Sequence, residues 1–202
     1  MSGWSLISCP ESYLLSLKSC HASLEHGNPV PECIKDHVAR LISDYVGRHL
    51  SHSPFRILGV GSGEGSSDLS FFEMLSGIPQ QKVDKCQFFQ RTIEPDKKVL
   101  QVFRAKAEDL PESLKTKADI EFEWCSMTFQ EYVDQKHKHD VKFDVVHFFH
   151  SLYYVGLEAA LKHCYDKELG ANGVIICGIS GEESAFVKYS KAFSSQDRKS
   201  VV

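Results

Sequence analysis

The feature that most constrains the fold is a regular alternation of short apolar runs with helical segments, which begins near residue 55. The apolar runs are "FRILGVG", "KCQFFQRTI", "ADIEFEWC", "KFDVVHFF" and "GVIICGI". The segments between them place apolar residues at three- and four-residue intervals, which is typical of helices. Strands that alternate with helices pair in parallel, and helices then cover both faces of the sheet. With right-handed crossovers, the sequence predicts an α/β protein with an open, Rossmann-like parallel sheet of five strands.

Helical periodicity also precedes the first strand. The stretches "ESYLLSLKSCHASL" and "PECIKDHVARLISDYVGRHL" each place apolar residues on one face, and Pro31 stands where a first helical turn tolerates proline. We therefore expect an N-terminal helical segment over residues 1–50 and the Rossmann-like core over residues 51–202, within a single domain. We expect "LEAALKHCYDKEL" (157–169) to be a helix and "GANG" (170–173) to be a turn before the fifth strand.

Composition excludes several classes of protein. The chain has 202 residues, 42% of them hydrophobic, and a net charge of −4, so no basic surplus is present to neutralise nucleic-acid phosphates. The longest apolar runs are far too short to cross a bilayer, and the first residues lack the pattern of a signal peptide. We expect a monomeric cytoplasmic protein that binds neither nucleic acid nor membrane.

Cysteines and histidines give no sign of a metal site. The seven cysteines are dispersed and include no C-x-x-C pair, which predicts free thiols in a reducing compartment. The histidines of "KHKHD" (136–140) have no carboxylate or cysteine partner at ligand spacing, so we interpret this stretch as a solvated turn.

The loop after the first strand, "GVGSGEG" (59–65), is the natural place for a ligand. Ligands of open parallel sheets bind beyond the carboxyl ends of the strands, and glycines let the backbone approach them closely. A P-loop is excluded because no G-K-[ST] follows, and the dinucleotide pattern is not met because Gly65 comes one position early. Alone, the loop is also compatible with a purely structural turn.

Glu94 stands at the carboxyl end of the second strand, in "TIEP". A carboxylate at this position can accept hydrogen bonds from both hydroxyls of a ribose, and after a glycine-rich first loop we favour that role. The alternative is an ordinary turn residue.

The glycine loop, Glu94, "FDVVHFFHSLYYV" and "LGANGVIIC", in this order, resemble the class I S-adenosylmethionine-dependent methyltransferases. The segments "LEH" (24–26), "TIEP", "FEW" (122–124) and "LYYV" carry a closer resemblance, to the histamine N-methyltransferases, from about Tyr13 onward. This resemblance implies an S-adenosylmethionine-dependent N-methyltransferase that acts on a small amine, with S-adenosyl-L-methionine as cofactor and no metal.

The resemblance also implies roles for individual residues. Those expected to contact the cofactor are Gly61, Ser62, Gly63, Gly65, Glu94, Phe129 and Phe149. Those expected to contact the amine are Glu25, His150, Tyr153, Tyr154 and Tyr13. Without the family, Glu25 would be an exposed helix charge, and the tyrosines of "LYYV" would be core aromatics.

Several positions depart from the family pattern. His150 and Val99 each replace a glutamine, and Phe129 with Gln130 replaces a serine-rich stretch. A histidine at position 150 can still form a hydrogen bond and can accept the departing proton, which makes it the candidate catalytic residue. The family's closing antiparallel strands are also missing after "GVIICGIS", so we expect a C-terminally truncated chain. The alternative function is therefore a non-catalytic relative that binds cofactor or a protein partner without turnover, and a dinucleotide-dependent oxidoreductase is less favoured.

Overall fold

The computed structural model describes residues 38, 42–43, 54–78, 85–135 and 141–179. All of these except Ile179 lie in one compact unit, residues 30–178, which contains the whole sheet. Most of the predicted N-terminal helices and all of the chain after Ile179 lie outside the described residues. Within the described ranges, every helix is too short or too polar to cross a membrane.

From Phe55 onward the described chain contains five strands and five helices, with two helices between the second and third strands. The strands are β1 (Phe55–Val60), β2 (Cys86–Ile93), β3 (Ala118–Cys125), β4 (Phe143–Phe149) and β5 (Leu169–Gly178). The helices are α1 (Ser66–Ser76), α2 (Lys97–Glu108), α3 (Glu112–Lys115), α4 (Phe129–Asp134) and α5 (Leu157–His163). A 3₁₀ turn (Leu152–Tyr154) follows β4, and a wide π-type turn (Cys164–Glu168) follows α5.

The sheet has the order β3-β2-β1-β4-β5, and every neighbouring pair is parallel. This confirms the predicted five-stranded open sheet. The chain moves outward from β1 through β2 to β3 and then returns to β4, so the strand order reverses beside β1. The crevice beyond the carboxyl ends of β1 and β4 is therefore the switch point at which open α/β sheets bind their ligands.

Both faces of the sheet carry apolar clusters, as the nearly continuous apolar runs predict. Ile57 of β1 packs on one face with Phe71 of α1, and Leu58 packs on the other with Tyr132 of α4. Ile42, in the predicted helix over 31–50, is helical and buried in the first cluster. Helices thus cover both faces, and the sheet holds its loops in fixed positions at its carboxyl edge.

The fifth strand differs from the sequence-based prediction. Residues 170–173, predicted as a turn, lie inside β5, where the pairing with β4 is irregular. Phe143 lies opposite Leu169 whereas Val145 lies opposite Val174, so β5 bulges between these pairs. The prediction of a separate turn was therefore wrong, because the glycines serve a bulge: a Cβ on Gly173 would lie 2.7 Å from the carbonyl oxygen of Phe143.

The helix predicted over 157–169 ends early, at His163, and continues as the π-type turn. The wider turn brings Glu168 into the core, where its carboxylate accepts a hydrogen bond of 2.9 Å from the Tyr132 hydroxyl. Periodicity does not reveal this change because the apolar spacing remains compatible with an α-helix.

Candidate cofactor-binding site

The glycine loop follows β1 directly and is left-handed at three positions. Gly61, Gly63 and Gly65 have φ angles of +66°, +59° and +76°. A Cβ at Gly61 would lie 2.4 Å from the Cβ of Ser151, and one at Gly65 would lie 2.0 Å from the Phe103 ring. At Gly63, by contrast, a Cβ would meet nothing within 4 Å. The outer two glycines are needed for packing, and the middle one borders open space.

Glu94 joins this loop to the end of β2. Its Oε2 accepts a hydrogen bond of 2.9 Å from the Gly63 amide, and its Oε1 accepts one of 3.0 Å from the Asp96 amide. Burial raises the pKa of Glu94; the two backbone hydrogen bonds oppose this shift, and the charges of Asp96 and Asp68 add to it. Each carboxylate oxygen can accept more than one hydrogen bond, so the group can also receive hydroxyl hydrogens from a ligand.

A buried polar cluster lies beneath the loop. Oδ1 of Asp68 accepts hydrogen bonds from Ser62 Oγ (2.8 Å) and Gln90 Nε2 (2.5 Å), and His147 Nε2 lies 3.3 Å from the same oxygen. Asp68, Gln90 and His147 are completely buried. Gly59 makes room for the cluster, because a Cβ there would lie 2.6 Å from Ser62 Oγ. The sequence patterns did not indicate this cluster.

Helix α2 holds the outer end of the same loop. Lys106 donates hydrogen bonds of 3.0 Å to the carbonyl oxygen of Glu64 and to Ser66 Oγ, and its ammonium lies 3.6 Å from the Glu64 carboxylate. The ring of Phe103, one helical turn earlier, packs against Gly65. Sequence reasoning missed both contacts. The only available signal was the three-residue spacing, which places the two side chains on one face of α2.

The segment after β4 forms the other side of the crevice. Ser151 is buried and donates its hydroxyl to the carbonyl oxygen of Val60, which fixes this segment against the end of β1. His150 has a φ of +59°, and its amide donates a 2.8 Å hydrogen bond to the carbonyl oxygen of Gly178. A positive φ is uncommon for a residue other than glycine, and such positions concentrate at functional sites.

The two tyrosines of the 3₁₀ turn are exposed. Tyr153 and Tyr154 are 47% and 44% accessible, and their rings meet edge to face at 5.5 Å. The Tyr153 hydroxyl lies 2.8 Å from Nδ1 of His150, which orients the imidazole. The interpretation of these tyrosines as core aromatics is therefore wrong, and their position allows them to line a pocket.

Two residues expected to contact the cofactor belong to the core instead of an open surface. The Phe129 ring packs near Tyr132 and Phe148, with centroid distances of 6.2 and 6.1 Å. The Phe149 ring stacks on His147 at 4.3 Å. Both residues are buried, with exposures of 7% and 8%, and their contact with the cofactor stays a prediction. Sequence comparison could not show this because it carries no information on the direction of a side chain.

Two of the residues expected to contact the amine are not among the described ones. Glu25, Tyr13 and the histidines of residues 136–140 lie outside the described residues. Val99, which replaces a family glutamine, is buried on α2. Within the described ranges, no group of three or more His, Cys, Asp or Glu side chains is placed to hold a metal ion.

The sheet order and the glycine loop at its switch point indicate the class of fold. The chain has the α/β fold of the S-adenosylmethionine-dependent methyltransferases. The plantazolicin methyltransferase BpumL, solved in complex with SAH and a triazolic desmethylPZN analogue, matches with a TM-score of 0.52 and 14% sequence identity, over 84% of this chain and 54% of that chain. A second structure of BpumL, with SAH, matches with a TM-score of 0.50 and 15% identity over the same shares. At these identities the likeness shows the fold alone.

In sequence, the chain is similar to the histamine N-methyltransferase of Danio rerio, with 28% identity over 193 residues. The match covers 92% of this chain and 62% of the relative, so the chain spans less than two thirds of that protein's length. No family model matches the chain. The resemblance to the histamine N-methyltransferases, which the sequence motifs indicated, is confirmed.

Proposed function

We propose that this protein is an S-adenosylmethionine-dependent N-methyltransferase that acts on a small amine. The observation that carries the proposal is the link between Gly63 and Glu94, which joins a left-handed glycine loop and a buried carboxylate at the switch point of the sheet. The similarity to a histamine N-methyltransferase supports the substrate class. S-adenosylmethionine would supply a methyl group that is already activated by its sulfonium charge.

The residues present fit this cofactor. The space beside Gly63 is open to a ligand, whereas Gly61 and Gly65 allow the close packing of Ser151 and Phe103 that shapes the loop. Glu94 is buried but keeps acceptor capacity on both oxygens, which suits a pair of ribose hydroxyls. The loop and the carboxylate would thus hold the amino-acid end and the ribose of the cofactor in a fixed relation.

On the amine side, the enzyme's main task is to position a neutral nitrogen for in-line displacement, since positioning alone lowers such barriers by several kcal/mol. Tyr153 and Tyr154 supply exposed aromatic faces that can line the amine pocket. Glu25 and Tyr13 are proposed, from the resemblance, to complete this pocket. The imidazole of His150, oriented by Tyr153, is the proposed acceptor of the proton that leaves the nitrogen.

A second candidate function is cofactor or partner binding without turnover. It is favoured by the two lost glutamines, since the resemblance implies that His150 stands in the amine pocket, and Val99 is buried. We propose further that the protein is monomeric and cytoplasmic and has no nucleic-acid or membrane partner.

A methyl-transfer assay tests the proposal. Protein and S-adenosylmethionine with a labelled methyl group are incubated with histamine and with a panel of other small amines. Incorporation of label into an amine supports the N-methyltransferase. Cofactor binding without incorporation across the panel would favour the non-catalytic alternative, and the absence of both would overturn the proposal.

A further inference from the structure

We infer that Asp68 is a positioning residue, which fixes the glycine loop in its left-handed shape through Ser62. Two hydrogen-bond donors converge on Oδ1 of Asp68, with His147 Nε2 3.3 Å away, and one of these donors, the Ser62 hydroxyl, belongs to the loop itself. Asp68 is completely buried, so it acts on a ligand only through the loop. The inference rests on the proposed function for its effect on cofactor binding, but not for its effect on the loop.

The burial of Asp68 costs folding free energy, so we expect the residue to serve a purpose other than stability. A buried carboxylate is costly unless hydrogen bonds and an opposite charge stabilise it. Here Gln90 and Ser62 donate to one oxygen, whereas Oδ2 of Asp68 has no hydrogen-bond partner among the described residues. Both ring nitrogens of His147 also lack a partner with hydrogen-bond geometry in this part of the chain. An incompletely satisfied polar cluster adds little to fold stability by itself, which favours a positional role.

The cluster reaches the loop at one defined point. Ser62 stands between Gly61 and Gly63, and its hydroxyl points down to Asp68 and not out to the crevice. Its carbonyl oxygen accepts a 3.0 Å hydrogen bond from the Gly65 amide. Loss of the contact to Asp68 would therefore loosen the turn that sets Gly63 against Glu94.

The two carboxylates on the loop have different tasks. Glu94 accepts from the Gly63 amide and borders the crevice, whereas Asp68 accepts from the Ser62 side chain on the opposite side of the loop. Gly59 allows this second contact, because a Cβ would lie 2.9 Å from Oδ1 of Asp68. The loop is thus held from beneath by Asp68 and from the side by Glu94.

Hydrogen exchange and cofactor titration of matched variants test this inference. Asp68→Asn and Ser62→Ala are compared with Ser62→Thr, which keeps the hydroxyl, and with Leu114→Ala, a substitution at a buried residue of α3. Loss of a hydrogen bond to a charged group is expected to speed exchange of the Gly63 and Gly65 amides about tenfold in the cofactor-free protein. The affinity for S-adenosylhomocysteine should fall by about the same factor.

The comparison separates the possible outcomes. Ser62→Thr should retain slow exchange, and Leu114→Ala should lower the melting temperature without a selective change in the loop. Equal changes in loop exchange for Asp68→Asn, Ser62→Ala and Leu114→Ala would overturn the inference. If Asp68→Asn does not fold, Ser62→Ala decides, since it leaves Asp68 itself in place. If the wild-type protein does not bind S-adenosylhomocysteine, the proposed function fails, while the exchange experiment still decides the role of Asp68.

Discussion

The amide of Gly63 donates a 2.9 Å hydrogen bond to Oε2 of Glu94, across 31 positions of the chain. This bond joins the loop after β1 to the residue after β2, so that two neighbouring strand ends form one rigid surface. The parallel register of β1 and β2, in which Val60 lies opposite Ile93, makes the contact possible. Substitutions in and around this surface should therefore have distinct effects on cofactor binding and on stability.

Acid should weaken cofactor binding through Glu94. Burial raises the pKa of this carboxyl above its ordinary value of 4.5, so it takes up a proton at a higher pH than an exposed glutamate does. The protonated group is a poorer acceptor for ribose hydroxyls. As the pH is lowered, calorimetry should therefore show the affinity for S-adenosylhomocysteine beginning to fall before the pH reaches 4.5. In Glu94→Gln this step should vanish, and an unchanged pH profile in that variant would show that another group titrates.

Acid should have the opposite effect on the stability of the cofactor-free protein, again through Glu94. Because the folded-state pKa of Glu94 is raised, the stability it contributes is present below its unfolded-state pKa and is lost as the pH rises through the folded-state pKa. Glu94→Gln should therefore stabilise the cofactor-free protein at neutral pH relative to acid pH. Urea unfolding of both proteins at several pH values measures this difference, and a wild-type protein that gains relative stability with rising pH would contradict it.

Alanine at two loop glycines should have contrasting effects. Gly65→Ala brings a Cβ to 2.0 Å from the Phe103 ring and also strains φ, so the free energy of unfolding should fall by about 2–4 kcal/mol. Gly63→Ala strains φ alone and should cost about 1–2 kcal/mol, but its methyl group enters the open space beside Glu94. The ratio of lost affinity for S-adenosylhomocysteine to lost free energy of unfolding should therefore be larger for Gly63→Ala than for Gly65→Ala. Equal ratios would argue against a ligand beside Gly63.

A substitution in a separate buried network provides a contrast. The Tyr132 hydroxyl donates to Glu168 and accepts a 3.1 Å hydrogen bond from Arg91, all within the core. Tyr132→Phe removes this link between α4 and the π-type turn, and should lower the free energy of unfolding by about 1–3 kcal/mol. The affinity for S-adenosylhomocysteine should not change beyond experimental error. A selective loss of affinity would show that this network also supports the cofactor site.

Substitution of His150 should separate chemistry from cofactor binding. His150→Gln introduces the glutamine that the related family carries at this position. The backbone there is left-handed, with a φ of +59°. If the imidazole accepts the departing proton, kcat should fall by about a hundredfold and lose its acid limb, because general base catalysis contributes on this scale. The affinity for S-adenosylhomocysteine should remain unchanged. A variant with wild-type kcat would exclude His150 as the base.

The sequence allowed prediction of the sheet because period and order suffice for it: the apolar run of β1 ends at glycine, and helical spacing follows from Ser66. It also indicated Glu94 and the loop, since their positions at strand ends are fixed by topology. It did not indicate the bulge at Gly173 or the π-type turn that brings Glu168 inward. These depend on packing between distant segments, which local spacing does not encode.

The site shows the same division. Asp68 and Gln90 are 22 positions apart and meet only because Gly59 leaves space between them, so no local motif identifies the cluster. The burial of Phe129 is also a tertiary property, set by its packing near Phe148 of β4. Sequence resemblance transfers a position from a family but not the direction in which a new side chain points.

Whether the crevice binds the cofactor through Glu94 is decided by calorimetric titration with S-adenosylhomocysteine. The titration compares the wild-type protein, Glu94→Gln and the matched control Glu108→Gln, an exposed residue at the end of α2. We predict saturable binding to the wild type and to Glu108→Gln, with affinity lowered about tenfold or more in Glu94→Gln. Absence of binding to folded wild-type protein, or equal affinity in all three proteins, would contradict a cofactor site at Glu94.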